Sequence, residues 1–387
     1  MNFIFFSPHF PQNSTEFCFY LKEAGVNVLG IGDAEFNSLN DRLKHSLTEY
    51  YKVSNMEDYN QILRAVGFYT HKYGKIDRFE SLNEYWLELE ARIRTDFNIY
   101  GTKNDFIYNL KLKSKMKAFF EKSGVKTVRC FKPSTKKEAL NFIKKVGYPV
   151  VVKPDQGSGA SMTYKIEDES AFDIFFDNKP ADTEFIIEEF VDGIILTYDG
   201  LIDRNGKIIF ENSHLFEQSI MEVVNTDDNL YYICLPDIDK RVRDAGHNIL
   251  KAFEVREKFF HIELFERKSD GEIVALEVNM RPPGAWMTDA INFSHDINIY
   301  QEWAKMITQN EVKIVSSAQY FTGYASRKDR KKYRNSHEQI LNSFSDRILY
   351  YNNIEHVFSR AMGNFAYQFR TNTYKEVKEI IEYIQAE

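Results

Sequence analysis

Three short stretches carry residue types at spacings that could do chemistry. The first is Val150-Val151-Val152-Lys153-Pro154-Asp155-Gln156-Gly157-Ser158-Gly159-Ala160-Ser161, an apolar run that ends on a lysine and enters a glycine-rich loop. In such a loop successive backbone N–H groups converge on a concave anion site, because no side chain blocks the approach. Lys153 adds a positive charge beside the same anion. No Gly-Lys-Ser/Thr follows, so this is not a Walker loop. Taken alone, the stretch fits a flexible hairpin turn with a surface lysine equally well.

The second stretch is a pair of runs, residues 259–266 and 272–281, joined by Ser269-Asp270-Gly271. A three-residue loop with glycine last is a common hairpin connection. In that register Glu263 stands directly opposite Glu277, and like charges in facing positions are destabilising unless something neutralises them. A divalent cation would do so, and hard oxygen donors of this kind suit magnesium. Asn279 and Arg281 follow Glu277 on the same strand face. A two-residue Asp-Gly turn would instead set Glu263 against Val278, and a solvent-facing polar strand is the plain alternative. The third stretch, Phe185-Ile186-Ile187-Glu188-Glu189-Phe190-Val191-Asp192-Gly193, is extended and could read a purine edge with its backbone. A partly buried edge strand explains it as well.

These stretches need elements to position them. Residues 3–6 read as a strand, 15–24 as a helix closed by Gly25, and 26–31 as a second strand, a βαβ rhythm that predicts a small parallel sheet. No G-x-G-x-x-G follows the first strand, so no dinucleotide is expected. Residues 80–94 read as an amphipathic helix carrying Trp86, and residues 112–123 as another, stopped by Gly124. A strand over 127–131 leads into a helix with Thr135 and Glu138 as its capping box and Gly147 as its end. Residues 148–153 are then a buried strand. Thr373 and Glu376 start a final helix whose stripe is Val377, Ile380, Ile381 and Ile384.

Composition narrows the class. At 387 residues the chain has room for two or three domains. A net charge of −7 gives no encouragement to nucleic-acid or anionic-membrane binding. The basic run 327–334 is either a solvated turn or an anion site. No run approaches the roughly 20 apolar residues of a membrane span, and the short apolar start is broken at Ser7-Pro8. Cys18, Cys130 and Cys234 are odd in number and far apart, which argues against a disulfide framework or zinc site and for a reducing, cytoplasmic setting. With 32 Phe and 23 Tyr, large cores are expected, along with an aromatic slot for a flat ligand.

Taken in order, the pieces between about Lys111 and Lys305 resemble the ATP-grasp superfamily, in its carboxylate–amine ligase branch. The resemblance implies a mixed α/β and α+β chain. Residues 1–110 would be a Rossmann-like pre-ATP-grasp domain, 111–310 the ATP-grasp domain with a mobile lid at about 130–187, and 311–387 a small C-terminal α+β region. Lys113 and Lys153 match the family's two phosphate lysines, and Gly157, Ser158, Gly159 and Ser161 match its glycine-rich lid. Glu188, Glu189, Phe190 and Val191 match the hinge that holds adenine, with Glu189 and Val191 expected to use backbone groups. Glu263, Glu277 and Asn279 match the magnesium ligands, and Arg281 the arginine on the phosphate or acyl phosphate. The chain departs from the family where a ribose glutamate is usual, so Asp192 or another residue would substitute there. His214 is the candidate for a phosphate-side cation that is otherwise missing.

The resemblance implies ATP with Mg²⁺, or Mn²⁺ in its place. A carboxylate would attack the γ-phosphate and an amine would then attack the acyl phosphate. Small carboxylates, amino acids among them, and amines are the expected partners, with no nucleic acid and no membrane; the assembly is left open, a homodimer being common in proteins of this shape. Asn83 and Glu84 either reach the substrate site from the N-terminal unit or merely start a helix. The Pro282-Pro283-Gly284-Ala285 turn either shapes the acyl pocket or reverses the chain. The rival readings are a biotin-carboxylase-like carboxylating enzyme and a non-catalytic ATP-binding regulatory module.

Overall fold

The computed structural model describes residues 1–157, 162–309, 312–315 and 320–387. The first hundred residues form a four-stranded, all-parallel sheet in the order Glu49–Lys52, Asn27–Gly32, Asn2–Phe6, Arg78–Glu80. Phe3, Ile4, Phe5 and Phe6 are fully buried, as a strand covered on both faces must be. The helices Ser14–Glu23 and Tyr59–Tyr73 supply the crossovers.

The helix expected over residues 80–94 begins later. Glu80 closes a strand, Asn83 caps a single 3₁₀ turn at Glu84–Trp86, and the α-helix runs Leu87–Asp96. The cause is a buried charge cluster. Arg94 is fully enclosed with Glu80 at 2.9 Å and Glu90 at 2.6 Å. Ser81 donates its N–H to Glu90 at 2.6 Å, and Leu82 turns left-handed at φ 58°. The chain before Leu87 is thus drawn into the core instead of winding.

A small antiparallel sheet, in the order Cys130–Phe131, Phe185–Glu189, Val150–Pro154, Tyr164–Ile166, carries the helices Lys136–Val146 and Glu169–Asn178. The Thr135–Glu138 capping box is present, with Glu138 N–H bonded to Thr135 Oγ1 at 3.2 Å. The single strand expected over 127–131 is split between two sheets. Lys126–Thr127 joins the large sheet and Cys130–Phe131 the small one. Arg129, between them, is turned by Glu189, which accepts its backbone N–H at 2.8 Å and its Nε at 2.6 Å.

The large sheet has nine strands. Gly193–Ile202 and Lys258–Arg267 are central and pair along ten residues. Phe321–Arg327 pairs with Tyr231–Leu235, so the sheet continues across the expected boundary near 310 into the C-terminal region. The final helix, Tyr374–Gln385, buries the expected Val377, Ile380, Ile381 and Ile384. Within the basic run 327–334, Arg327 ends a strand, Lys328 meets Asp227 at 2.5 Å, and Lys331 meets Asp228 at 2.9 Å. No helix among the described residues is long and apolar enough to cross a membrane.

Helix Lys240–Ala252 backs the central strands through Gly246, where a Cβ would stand 2.1 Å from the ring of buried Tyr198. Helix propensity alone favours alanine there by about 1 kcal/mol, but overpacking a rigid buried ring costs about 1–3 kcal/mol. The steric term wins, so Gly246→Ala lowers the urea midpoint. A midpoint raised by the substitution would refute this packing.

Candidate active site

The hairpin of Lys258–Arg267 and Ile273–Asn279 brings Glu263 opposite Glu277 and His261 opposite Asn279. The turn is not the expected three-residue loop. Gly271 donates its N–H to Arg267 O at 2.8 Å across a longer turn, and Leu264 faces Ala275. The register shifts between Glu263 and Leu264, leaving Leu276 as an extra residue on its strand. This bulge restores the facing glutamates that the shorter loop was expected to give.

A cleft of about 1190 Å³, counting its open mouth, holds these glutamates together with Lys113, Lys153, Gly157 and residues 188–193. Val151, Ile195, Met221, Phe265 and Leu276 give it apolar wall. Asn279 is buried, and Arg281 lies just past the strand end, bonded to Pro282 O at 2.9 Å and to Glu84 at 3.1 Å. Ser158, Gly159 and Ser161 lie outside the described residues.

Lys113 begins helix Lys113–Ser123, donates to Gly157 O at 2.6 Å and meets Glu277 at 3.1 Å. Asp155 fixes that helix start, accepting from Ser114 N and Ser114 Oγ at 2.8 Å each. The other lysines near Lys113 separate by face. Lys111 pairs outward with Glu88 and Lys115 lies over Tyr108, whereas Lys117 is buried and meets Glu188 at 2.8 Å. Sequence reasoning gave Lys117 no role of its own beside Lys113. Its signal was the four-residue spacing from Lys113, which puts both on one helix face.

Glu188 does not offer its carboxylate to a base. It is buried between Lys117 and Lys153, the latter at 2.7 Å. Burial alone would raise its pKa, but the two ammonium groups reverse that and hold it down at about 2. Burial likewise opposes the charge on Lys153, yet Glu188 and Glu277 keep its pKa raised. Glu189 commits its backbone N–H to Arg129 O at 3.0 Å, so that group is not free for adenine. Asp192, weighed for the ribose, pairs with Lys268 at 2.8 Å on the rim.

The facing glutamates differ in environment. Burial raises the pKa of Glu277, Lys113 opposes this, and Glu84 and Glu263 raise it further. Glu263 is also penalised by burial, but His261, Arg281 and Lys153 pull it below its ordinary value. His261 stands 3.3 Å from Glu263 and 2.5 Å from Asp199, and Asp199 also meets His214 at 2.7 Å. Burial would lower the pKa of His261, but Asp199 raises it to about 9. His214 is therefore not a phosphate ligand as placed here: it is wholly buried in the sheet and does not line the cleft. Asp199 and His261 were not found from sequence, because their pairing requires knowing which distant strand lies alongside residues 193–202.

Residues 146–290 match the model of the ATP-grasp domain. A 112-residue segment is 34% identical to the phosphoribosylamine–glycine ligase of Helicobacter pylori, covering 29% of this chain and 26% of that protein. Over 265 residues the chain is 20% identical to the L-arginine-specific L-amino acid ligase of Bacillus subtilis, covering 66% of this chain and 63% of that one. The alignments thus span from about a quarter to under two thirds of these curated relatives. The crystal structure of an L-amino acid ligase from Bacillus licheniformis superposes with a TM-score of 0.75 at 16% identity, over 98% of this chain and 96% of that one. The chain carries an ATP-grasp domain and has the ATP-grasp fold over nearly its whole length.

The Lys117–Glu188–Lys153 cluster sets an acid limit on the fold. A carboxylate with a lowered pKa stabilises the native state above its unfolded value near 4.5, and this is lost as pH falls toward about 2. Glu188→Gln strands two buried ammonium groups, which costs about 3–5 kcal/mol at pH 7. The gap in urea stability between wild type and Glu188→Gln is therefore wide at pH 7 and narrows by pH 3. A gap of constant width would show that Glu188 is not the charged partner.

Proposed function

We propose that this chain is an ADP-forming ligase that joins a small carboxylate to an amine through an acyl phosphate. The observation that carries the reading is the Glu263–Glu277 pair, facing in one cleft with Lys113 and Lys153. Two facing carboxylates followed by an amide suit a hard cation, and burial and Glu263 both press Glu277 toward protonation when no cation is bound. Among the described residues no three or more His, Cys, Asp or Glu side chains form a metal cluster. Glu263, Glu277 and Asn279 would hold Mg²⁺, or Mn²⁺, which supplies neutralisation of phosphate charge.

The chain's own residues do the rest by position and charge. Lys113 and Lys153 hold the phosphates, and the backbone of residues 189–191 lies against the base. The small sheet and its helices, residues 130–187, close as a lid that excludes water from the acyl phosphate. A substrate carboxylate oxygen attacks the γ-phosphorus and the bond to ADP breaks. Arg281 offsets the charge of the acyl phosphate. The amine nitrogen then attacks the acyl carbon, phosphate leaves, and the amine gives up a proton.

Phosphate release from ATP and Mg²⁺ with pooled carboxylates, with and without added amines, tests this. Wild-type release requires both substrates. Glu277→Ala lowers it by about 10³-fold or more, the scale of several kcal/mol of lost charge stabilisation, while its circular dichroism stays native. Release that needs bicarbonate instead of an amine would favour the carboxylating reading. Tight ATP binding with no release from any pool would favour the regulatory one.

A further inference from the structure

Three neighbouring strands set polar side chains in a grid behind the glutamate pair. Glu277 and Asn279 stand on Ile273–Asn279, and Glu263 and His261 face them on Lys258–Arg267. Thr197 and Asp199 face those in turn on Gly193–Ile202. Alternate residues of a strand point to one side of the sheet, so these side chains share a face. Asp199 is wholly enclosed and His261 nearly so. His261 donates through Nδ1 to Asp199 Oδ1 at 2.5 Å, and its Nε2 meets Glu263 Oε1 at 3.3 Å. Asp199 does not rely on His261 alone. Its Oδ2 accepts from His214 Nδ1 at 2.7 Å and from Thr197 Oγ1 at 2.5 Å. Thr197 Oγ1 is itself held by the His214 backbone N–H at 2.9 Å.

We propose that Asp199 is a positioning residue for the divalent cation: it fixes the His261 ring, and the ring fixes the Glu263 carboxylate. The inference rests on the ligase reading of the same cleft, in which Glu263 helps to hold Mg²⁺. Glutamate is a long, jointed side chain, and Arg281 and Lys153 also attract this one. Untethered, Glu263 would turn toward either of them. With Oε1 held by the ring, Oε2 is left to the cation in one orientation. The ring in turn cannot rotate without giving up its buried bond to Asp199, and leaving such a group unpaired is costly. Asp199 cannot follow the ring, because His214 and Thr197 hold its other oxygen.

The effect differs between ligands. Groups that orient a metal ligand from behind are worth about 10- to 100-fold in metal affinity. Mg²⁺ demands near-ideal octahedral geometry, whereas Ca²⁺ accepts flexible arrangements of oxygens. A Glu263 free to swing therefore weakens Mg²⁺ more than Ca²⁺. Nucleotide contacts made without the cation, by Lys113, Lys153 and the backbone of residues 189–191, do not pass through Asp199. Loss of Asp199 thus separates metal-dependent from metal-independent nucleotide binding, which general damage to the sheet would not do.

Calorimetry of a non-hydrolysable ATP analogue, in EDTA and with saturating Mg²⁺ or Ca²⁺, reads how far each cation tightens nucleotide binding. Asp199→Asn leaves the affinity in EDTA unchanged and cuts the tightening by Mg²⁺ about tenfold or more, and that by Ca²⁺ less. His261→Phe removes the contact with Glu263 while Asp199 keeps His214 and Thr197, and it loses the same tightening. His261→Gln, which keeps a donor, retains part of it. Adding Asp199→Asn to His261→Phe costs no further tightening, because the two residues act in series. Equal losses in EDTA and in Mg²⁺ would make Asp199 merely structural and overturn the proposal. So would an Asp199→Asn loss that is undiminished in the His261→Phe background. Phosphate release measured on the same proteins keeps the two readings apart. Asp199-dependent tightening without turnover from any carboxylate and amine would sink the ligase reading and keep the positioning role. Turnover that needs both substrates, with tightening indifferent to Asp199→Asn, would do the reverse.

Discussion

Two glutamates held face to face in a buried hairpin are the constraint on which the site depends. Facing residues have Cβ atoms about 5 Å apart, and two unit charges at that distance repel by about 3 kcal/mol at an effective dielectric of about 20. Repulsion of that size is a large fraction of a domain's net stability, so the surrounding elements must compensate it. Helix Lys113–Ser123 delivers Lys113 to Glu277. Strand Val150–Pro154 brings Lys153 within reach of both carboxylates, and Lys258–Arg267 itself brings His261 to Glu263. The bulge at Leu276 has the same logic, because without that extra residue Glu277 would slip out of register and turn to the other face.

How much of this could be read from sequence depended on the range of the interaction. The Thr135–Glu138 box, the stop at Gly124 and the stripe of the last helix are local patterns, and the structure has them. The facing of Glu263 and Glu277 is nearly local, since one turn connects them. There the right pairing came with a turn of the wrong length, because a bulge is invisible to a count of residues. The start of the Leu87–Asp96 helix was misplaced because Glu80, Glu90 and Arg94 compete for one buried space, and tertiary charge pairing overrode helical periodicity. His214 was misread for a similar reason: its burial is decided by Asp199, fifteen residues earlier on a neighbouring strand.

Lys117 and Asp199 show a further limit. Neither touches the cleft, yet Lys117 holds the charge of Glu188, which does, and Asp199 holds the charge of His261, which meets the cleft residue Glu263. A supporting charge of this kind needs no special spacing to its client in the chain, only adjacency in space. Sequence patterns therefore favour the groups that line a site over the groups that hold them.

Glu188 makes the physical role of such support explicit. Its carboxylate is buried and charged, and it meets one lysine that lines the cleft and one that does not. With Lys153 as sole partner, any phosphate that drew Lys153 away would leave an uncompensated buried charge, a loss of several kcal/mol per ion set directly against nucleotide binding. With Lys117 fixed on the other oxygen, the carboxylate keeps a partner at 2.8 Å and that opposing cost falls. Two lysines on one glutamate thus reconcile a stable empty cleft with a Lys153 that can be recruited by an anion.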